Sequence, residues 1–185
     1  MILKRSFYNS LFIISCSLFA ACSSSKKASV NPPAQLYEVL KDRDGSKMLE
    51  GIVTKEQITQ DTAFHWYADN VKLVKPDATA VSAVAAKAGK INIVIFGGTW
   101  CDDTHQLLPK YLSLLQAANF PDDHLMLVTV DHKKQTLGNL HNVFHITNVP
   151  TLIVLKDGKE MGRIIEYGKN GYVDKELGEI VSIIE

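Results

Sequence analysis

Apolar and polar residues alternate in blocks along the second half of the chain, and the blocks predict strands and helices in turn. Continuous apolar, β-branched runs predict buried strands at 91–96, 125–130 and 151–155. Apolar residues at helical spacing predict helices over 102–118, 135–144 and 174–184. A turn at 156–159 predicts a hairpin whose second strand covers 160–167. The pattern predicts an α/β fold, a mixed sheet flanked by helices.

Residues 34–89 precede this alternation and are predicted to form an N-terminal helical extension of the domain at 90–185. A short helix is expected at Gln35–Lys41, and a capping box of Thr54 and Gln57 predicts a second helix from near Lys55. Asp77 is expected to cap a third helix that ends at Gly89. Within the extension, aromatic residues cluster and a turn follows, at Phe64–Tyr67 and at Asp69-Asn70. We expect the aromatic residues to pack the extension onto the domain; a peptide or ligand groove is the alternative.

The first 21 residues have the layout of a lipoprotein signal peptide. Lys4 and Arg5 precede an apolar run at Leu11–Ala21. A helix needs roughly 20 apolar residues to cross a bilayer, so this run is too short. Leu18-Phe19-Ala20-Ala21-Cys22 resembles the lipobox of bacterial lipoproteins, in which the cysteine carries the lipid. A plain signal peptide and an uncleaved anchor remain the alternatives.

The segment at 22–33 is polar and ends in two prolines, which is typical of a flexible tether. Ser23 follows the cysteine and resembles outer-membrane sorting more than inner-membrane sorting. The expected location is therefore the bacterial cell envelope, with the protein anchored to a membrane by lipid on Cys22 and facing the periplasm. The formal net charge of zero gives no indication of a nucleic-acid partner.

The candidate chemistry lies where the strand at 91–96 ends in Gly97 and Gly98 and a helix follows. Trp100 and Cys101 stand at this junction, so a thiol is presented at a helix N-terminus. Cys16 would leave with the signal peptide and Cys22 would carry lipid, which leaves Cys101 as the only thiol of the mature chain. An intrachain disulfide is then impossible.

Four motifs in order resemble the thioredoxin superfamily over residues 90–185, and together with the lipobox they resemble lipid-anchored thioredoxin-family proteins of Bacteroidetes type. They are Trp100-Cys101-x-x-Thr104, Pro109, Asn148-Val149-Pro150-Thr151 and Lys156-Asp157-Gly158. The resemblance implies that Cys101 is the nucleophile and that Trp100 shields it. It also implies a cis peptide bond before Pro150, with Val149 offering backbone groups to an extended substrate beside the sulfur.

Two positions depart from the superfamily pattern. Thr104 stands where the second cysteine falls, and Ile95 stands where the buried acid falls. A threonine hydroxyl cannot resolve a mixed disulfide, so the dithiol cycle is excluded for the isolated mature chain. Monothiol exchange remains open, with Thr104 Oγ expected to donate a hydrogen bond to the thiolate. The charges of Asp102 and Asp103 oppose a thiolate nearby, to an extent comparable with the stabilisation from the helix end.

Histidines near the thiol raise the question of a metal. Cys101 with His105, and His141 with His145, are spaced at i and i+4. We expect exposed or capping histidines rather than ligands, and no metal or other cofactor. His145 is a further candidate neighbour of the thiol, because it precedes Pro150 by five residues.

Asp131-His132 at the end of the second strand is expected to be a turn, or else to line the site. We predict an enzyme-like protein that carries out monothiol thiol–disulfide exchange with protein or small-molecule disulfides through Cys101. The alternative is a redox-inactive module that binds an extended peptide or partner protein through the cis-proline groove.

Overall fold

A computed structural model describes residues 36–185, which form a six-stranded sheet flanked by helices. The predicted signal peptide, the tether and Cys22 lie outside the described residues. The strands are β1 (Tyr37–Lys41), β2 (Lys47–Val53), β3 (Asn92–Gly97), β4 (Leu125–Thr129), β5 (Thr151–Lys156) and β6 (Lys159–Ile165). The helices are α1 (Lys55–Thr59), α2 (His65–Val71), α3 (Ala78–Lys87), α4 (Asp102–Ala117), α5 (Leu140–Val143) and α6 (Val173–Ser182).

The strands lie in the order β1-β2-β4-β3-β5-β6. Only β3 and β4 pair in parallel, as expected of strands joined through a helix, and the other neighbours are antiparallel. The predicted mixed sheet flanked by helices is therefore confirmed. The hairpin between β5 and β6 turns through Asp157 and Gly158, whose φ angles are 50° and 75°.

The central strand β3 is buried on both faces, which explains its uninterrupted apolar sequence. Ile93 and Ile95 point into the larger core, which also contains residues of α3, α4 and α6. Val94 and Phe96 point into a second core with Val128, Val149 and Ile153. The end of β3 that leads to Cys101 is thus packed against apolar side chains on both faces. Within residues 36–185, no helix is both long enough and apolar enough to cross a bilayer.

The N-terminal extension differs from the prediction at its start. Gln35–Lys41 was expected to be helical, but Tyr37–Lys41 is the edge strand β1, and β2 pairs with β4 of the central sheet. The expected turn at Asp69-Asn70 is also wrong, because α2 continues to Val71. The capping box of Thr54 and Gln57 and the cap at Asp77 are confirmed.

The aromatic cluster packs the extension onto the domain, as expected. Phe64 is 2% exposed and belongs to the larger core, and Trp66 and Tyr67 pack against it. The helix predicted at 135–144 is shorter than expected, since Gly138 and Asn139 have φ angles of 69° and 57° and separate α5 from the preceding turn. The loop between β4 and β5 is therefore mostly irregular, and it carries His132 and Val149.

Candidate functional site

Cys101 is the N-cap residue of α4, with extended backbone angles of φ −95° and ψ 121°. Its N–H donates to the Gly98 carbonyl at 3.0 Å, and its carbonyl accepts from the His105 N–H at 3.0 Å. The side chain is partly exposed. The turn of glycines after β3 therefore presents the sulfur at the start of a 16-residue helix.

The Val149–Pro150 peptide bond is cis, as the sequence resemblance implied. Cys101 Sγ lies 3.4 Å from the Val149 carbonyl oxygen and donates a hydrogen bond to it. Thr151 Oγ1 donates to the Asn148 carbonyl at 2.7 Å and closes the loop from the other side. The structure thus brings Cys101, Val149 and Pro150 together from segments that are almost 50 residues apart.

Trp100 lies against the backbone of Gly98, with so little space that a Cβ atom on Gly98 would stand 2.7 Å from the indole. The indole Nε1 donates to the Val130 carbonyl at 2.9 Å. His132 stacks on the indole, with ring centroids 4.1 Å apart, and Lys134 Nζ lies 5.5 Å from its ring centre. Trp100 is thereby held on several sides beside the thiol.

His132 is in turn bonded to the N-terminal extension. Its Nε2 lies 2.6 Å from Asp42 Oδ1, in the turn between β1 and β2. The hydrogen bond from His132 is the main cause that lowers the pKa of Asp42, and the Arg43 N–H adds to it. Asp131-His132 forms the turn that was expected at the strand end, where the Lys134 N–H donates to the Asp131 carbonyl at 2.9 Å and Asp131 Oδ1 accepts from two backbone N–H groups. His132 also lies beside the site, because its ring stacks on Trp100.

Thr104 does not contact the sulfur in the way expected from the sequence. Its side chain is buried, 2% exposed, and its hydroxyl accepts from the Gly98 N–H at 3.1 Å. No hydrogen bond joins Thr104 to Cys101 within the described part of the chain. Ile95, 2% exposed, lines with Thr104 and Leu108 a cavity of about 10 Å³ below the turn. The site therefore has neither a second thiol nor a buried carboxylate at these positions.

The two acidic residues of the first turn of α4 have different surroundings. Asp102 is fully exposed, and one of its carboxylate oxygens lies 3.8 Å from His105 Nδ1. Asp103 accepts a hydrogen bond from the Tyr167 hydroxyl at 2.9 Å. That bond is the main cause that raises the pKa of Tyr167, and burial and the charge of Asp103 add to it. Tyr167 was not predicted from the sequence as a site residue. Its position just after β6, the strand that pairs with the strand following Pro150, is the feature from which it could have been predicted.

The His105 ring contacts the loop before Cys101 and the N-terminal extension. Its Nε2 lies 2.8 Å from the Thr99 carbonyl, which makes this nitrogen the donor. Trp66 stacks on the ring, and Asn70 donates to the His105 backbone carbonyl at 2.9 Å. The Thr99 hydroxyl also accepts from the Leu49 N–H of β2. Two parts of the extension thus support the loop at 97–101.

His145 is exposed, with a φ angle of 53°, and no hydrogen bond joins it to Cys101 among residues 36–185. His141 Nδ1 accepts from the Thr136 N–H at 3.1 Å. No group of three or more histidine, cysteine or acidic side chains suited to a metal occurs in residues 36–185.

Comparisons with known proteins agree with this geometry. The thioredoxin family profile matches residues 82–177. Thioredoxin from Echinococcus granulosus is 30% identical over 95 residues, which cover 51% of this chain and 82% of that protein. Putative thioredoxin H10 from Arabidopsis thaliana is 31% identical over 77 residues, which cover 42% of this chain. The chain spans about half of the length of that relative, 46%.

Among solved structures, oxidized thioredoxin O2 from Arabidopsis thaliana is 26% identical, with a TM-score of 0.37. The match covers 57% of this chain and 89% of that chain. The family profile spans slightly more than half of the sequence and includes β3, Cys101, the cis-proline loop and the first half of α6. By this match, and by the identity with the Echinococcus protein over most of its length, the chain belongs to the thioredoxin family.

Proposed function

We propose that the protein carries out monothiol thiol–disulfide exchange through Cys101 with protein or small-molecule disulfides. One observation carries the proposal: Cys101 Sγ is partly exposed, 3.4 Å from the Val149 carbonyl, whereas the resolving position holds the buried Thr104. The chain's membership of the thioredoxin family supports thiol–disulfide chemistry of this general kind. The missing second cysteine makes the single-thiol form of that chemistry the one these residues can perform.

The exchange proceeds in two balanced steps. The Cys101 thiolate attacks one sulfur of a substrate disulfide, forms a mixed disulfide and releases the other sulfur as a thiolate. An external thiol then attacks the mixed disulfide at the substrate sulfur, which frees Cys101 and leaves a new disulfide between the substrate and that thiol. Thr104 takes no part in either transfer.

We also propose that the protein is anchored by lipid on Cys22 and faces the periplasm, with the outer membrane favoured. The basis is the sequence alone: a positive start, an apolar run that is too short to span a bilayer, and the lipobox-like segment Leu18–Cys22. The polar residues at 22–33 would hold the domain away from the lipid. Such a protein meets disulfides of secreted proteins in an oxidising compartment.

A test of the exchange uses the full chain in detergent with oxidised glutathione and with a peptide disulfide as probes. Wild-type protein is expected to gain one adduct at Cys101, identified by peptide mass spectrometry and released by dithiothreitol. Cys101→Ser is the matched control and should lack that adduct, whatever occurs at Cys22. Absence of an adduct at Cys101 with both probes would refute the proposal.

The same experiment tests the second candidate, a redox-inactive module that binds an extended peptide in the cis-proline groove. The observation in its favour is that the Val149 carbonyl accepts the hydrogen bond of the Cys101 thiol; in this candidate a peptide N–H replaces that donor. Retention of a peptide by Cys101→Ser with unchanged affinity, together with no adduct on wild-type protein, would favour the binding module.

A further inference from the structure

We propose that Asp42 and His132 are positioning residues for the thiol site, which hold the Trp100 indole as one wall of the groove that leads to Cys101. The part of this inference that concerns substrate entry rests on the proposed exchange function. The part that concerns the orientation of Trp100 does not. Neither residue is hydrogen-bonded to the sulfur, and the proposed effect on exchange passes through the indole.

The geometry fixes the imidazole from two directions. His132 Nε2 lies 2.6 Å from Asp42 Oδ1, which sets the position of the ring edge. One ring face lies on the Trp100 indole at 4.1 Å between centroids, with the planes inclined by 27°. The side chains of His132 and Asp42 are 29% and 13% exposed, so the bond is partly shielded from water.

Two further contacts confine the indole, and they do not replace the support that His132 gives to its face. Its inner side meets the backbone of Gly98, where even a Cβ atom would not fit. Its Nε1 is bonded to the Val130 carbonyl. If His132 turns away, the stacked face of the indole becomes open, and the Val130 bond and Lys134 are the polar contacts that remain. Trp100 and Cys101 pack against the same apolar cluster as Val149, so such a movement changes the entrance to the thiol.

Asp42 comes from a part of the chain that the thioredoxin profile does not include. The profile begins at residue 82, whereas Asp42 stands in the turn of the β1–β2 hairpin and is separated from His132 by 90 positions. The hairpin reaches the site a second time through the Leu49 N–H, which donates to Thr99 Oγ1 at 3.2 Å. The extension therefore supplies a contact to the site from outside the part of the chain that the thioredoxin profile matches.

Two reactions of Cys101, alkylation and exchange with a peptide disulfide, distinguish a residue that positions Trp100 from one that only stabilises the fold. Iodoacetamide is small and reaches the sulfur past a displaced indole, whereas a peptide disulfide must fit the groove. We therefore expect Asp42→Asn to lower the rate of exchange with a peptide disulfide by about tenfold and the rate of alkylation by less than about twofold, since displaced positioning groups cost rate.

The test compares full-length wild-type protein, Asp42→Asn and His132→Phe with the matched control Asp44→Asn. Asp44 stands in the same turn, but its carboxylate accepts from the Ser46 N–H. The first readout is the indole N–H signal of Trp100 in a proton–nitrogen correlation NMR spectrum, assigned with Trp100→Phe. The Trp66 signal serves as an internal reference. Asp42→Asn should move the Trp100 signal and leave the Trp66 signal in place, and Asp44→Asn should move neither.

An unchanged Trp100 signal in Asp42→Asn would overturn the inference, and so would equal losses of alkylation and exchange. If Asp42→Asn does not fold, His132→Phe decides by the same criteria, because it keeps a ring in place and removes the bond to Asp42. If wild-type protein shows no exchange at all, the proposed function fails, and the NMR signal alone still decides whether Asp42 positions Trp100.

Discussion

The Trp66 indole stacks on the His105 imidazole, with ring centroids 4.3 Å apart and planes inclined by 19°. Asn70, from the same helix, donates to the His105 carbonyl, and His105 Nε2 reaches the Thr99 carbonyl. Helix α2 of the extension is thereby connected to the loop that precedes Cys101. The loop is therefore held in place by residues that lie well before it in the sequence.

The first prediction concerns this stack. Trp66→Ala should lower the free energy of unfolding by about 3 kcal/mol, because a large aromatic side chain packed on the core is removed. Trp66→Phe should cost about 1 kcal/mol or less, because it keeps a ring on His105, and the indole N–H that it removes has no hydrogen-bond partner among residues 36–185. Urea unfolding measures both.

The control for this prediction is His65→Ala, at an exposed position of the same helix. It should change the free energy of unfolding by no more than about 0.5 kcal/mol. A loss for Trp66→Ala as small as that of the control would contradict the proposed support of the site by α2.

The second prediction concerns the glycine beneath Trp100. Gly98→Ala places a Cβ atom 2.7 Å from the indole, which His132 and Val130 hold in place. We expect a loss of about 2 kcal/mol in the free energy of unfolding, since overpacking forces side chains out of position. Gly89→Ala is the control, because a Cβ atom there meets open space. Equal stability of the two variants would show that Trp100 is not confined as described.

The strands β3, β4 and β5 could be predicted because they are continuous apolar runs with clear boundaries, whereas β2 was not predicted. β3 is buried on both faces, and the Asp157-Gly158 turn limits β5 and β6. The helix predicted at Gln35–Lys41 was wrong because Val39 and Leu40 suit a short helix as well as a strand. Its pairing with β2 decides between them, and a local pattern does not contain that pairing.

The thiol and its cis-proline partner were found from motifs, whereas the residues around them were not. Asp42 and His132 are 90 positions apart, and Tyr167 and Asp103 are 64 apart, so these bonds exist only after the sheet has formed. The hydroxyl of Thr104 was expected to face the sulfur because one helical turn separates the residues. In the structure the side chain turns its hydroxyl oxygen to the Gly98 N–H, because a buried N–H requires an acceptor.

The third prediction restores the missing thiol. Thr104→Cys places a second sulfur in the first turn of α4, three residues after Cys101 and on the same side of the helix. Under mild oxidation the variant should become two hydrogens lighter and lose its reaction with maleimide at both positions. Mass spectrometry with redox titration against glutathione checks this. In the reduced form the variant should be less stable by about 1 kcal/mol, because Gly98 loses its hydroxyl acceptor.

Thr104→Ser is the matched control for this variant, since it keeps the hydroxyl for Gly98 and adds no sulfur. It should behave as wild-type protein under oxidation. If both cysteines of Thr104→Cys remain open to alkylation after oxidation while the protein stays folded, the helix start does not bring the two side chains together, and the geometry described for Cys101 is wrong.

The fourth prediction follows from the bond between Tyr167 and Asp103. The Tyr167 hydroxyl donates a hydrogen bond to the Asp103 carboxylate, and ionisation of Tyr167 would remove that bond and place two negative charges together. The pKa of Tyr167 therefore lies above the ordinary value of 10.0. Asp103→Asn should therefore lower the pH at which Tyr167 ionises. The absorbance of the phenolate, taken as the difference from Tyr167→Phe, measures this.

The sign of the accompanying change in stability follows from the raised pKa. A group of this kind stabilises the fold fully below its unfolded pKa and ceases to do so as the pH rises through its folded pKa. Tyr167→Phe should thus lose less stability than wild-type protein above pH 10.0. Tyr172→Phe, at a position 63% exposed, is the control and should follow the wild-type curve. If both variants follow that curve, the Asp103 carboxylate is not held by Tyr167 in solution, and its charge is free to move relative to the thiol.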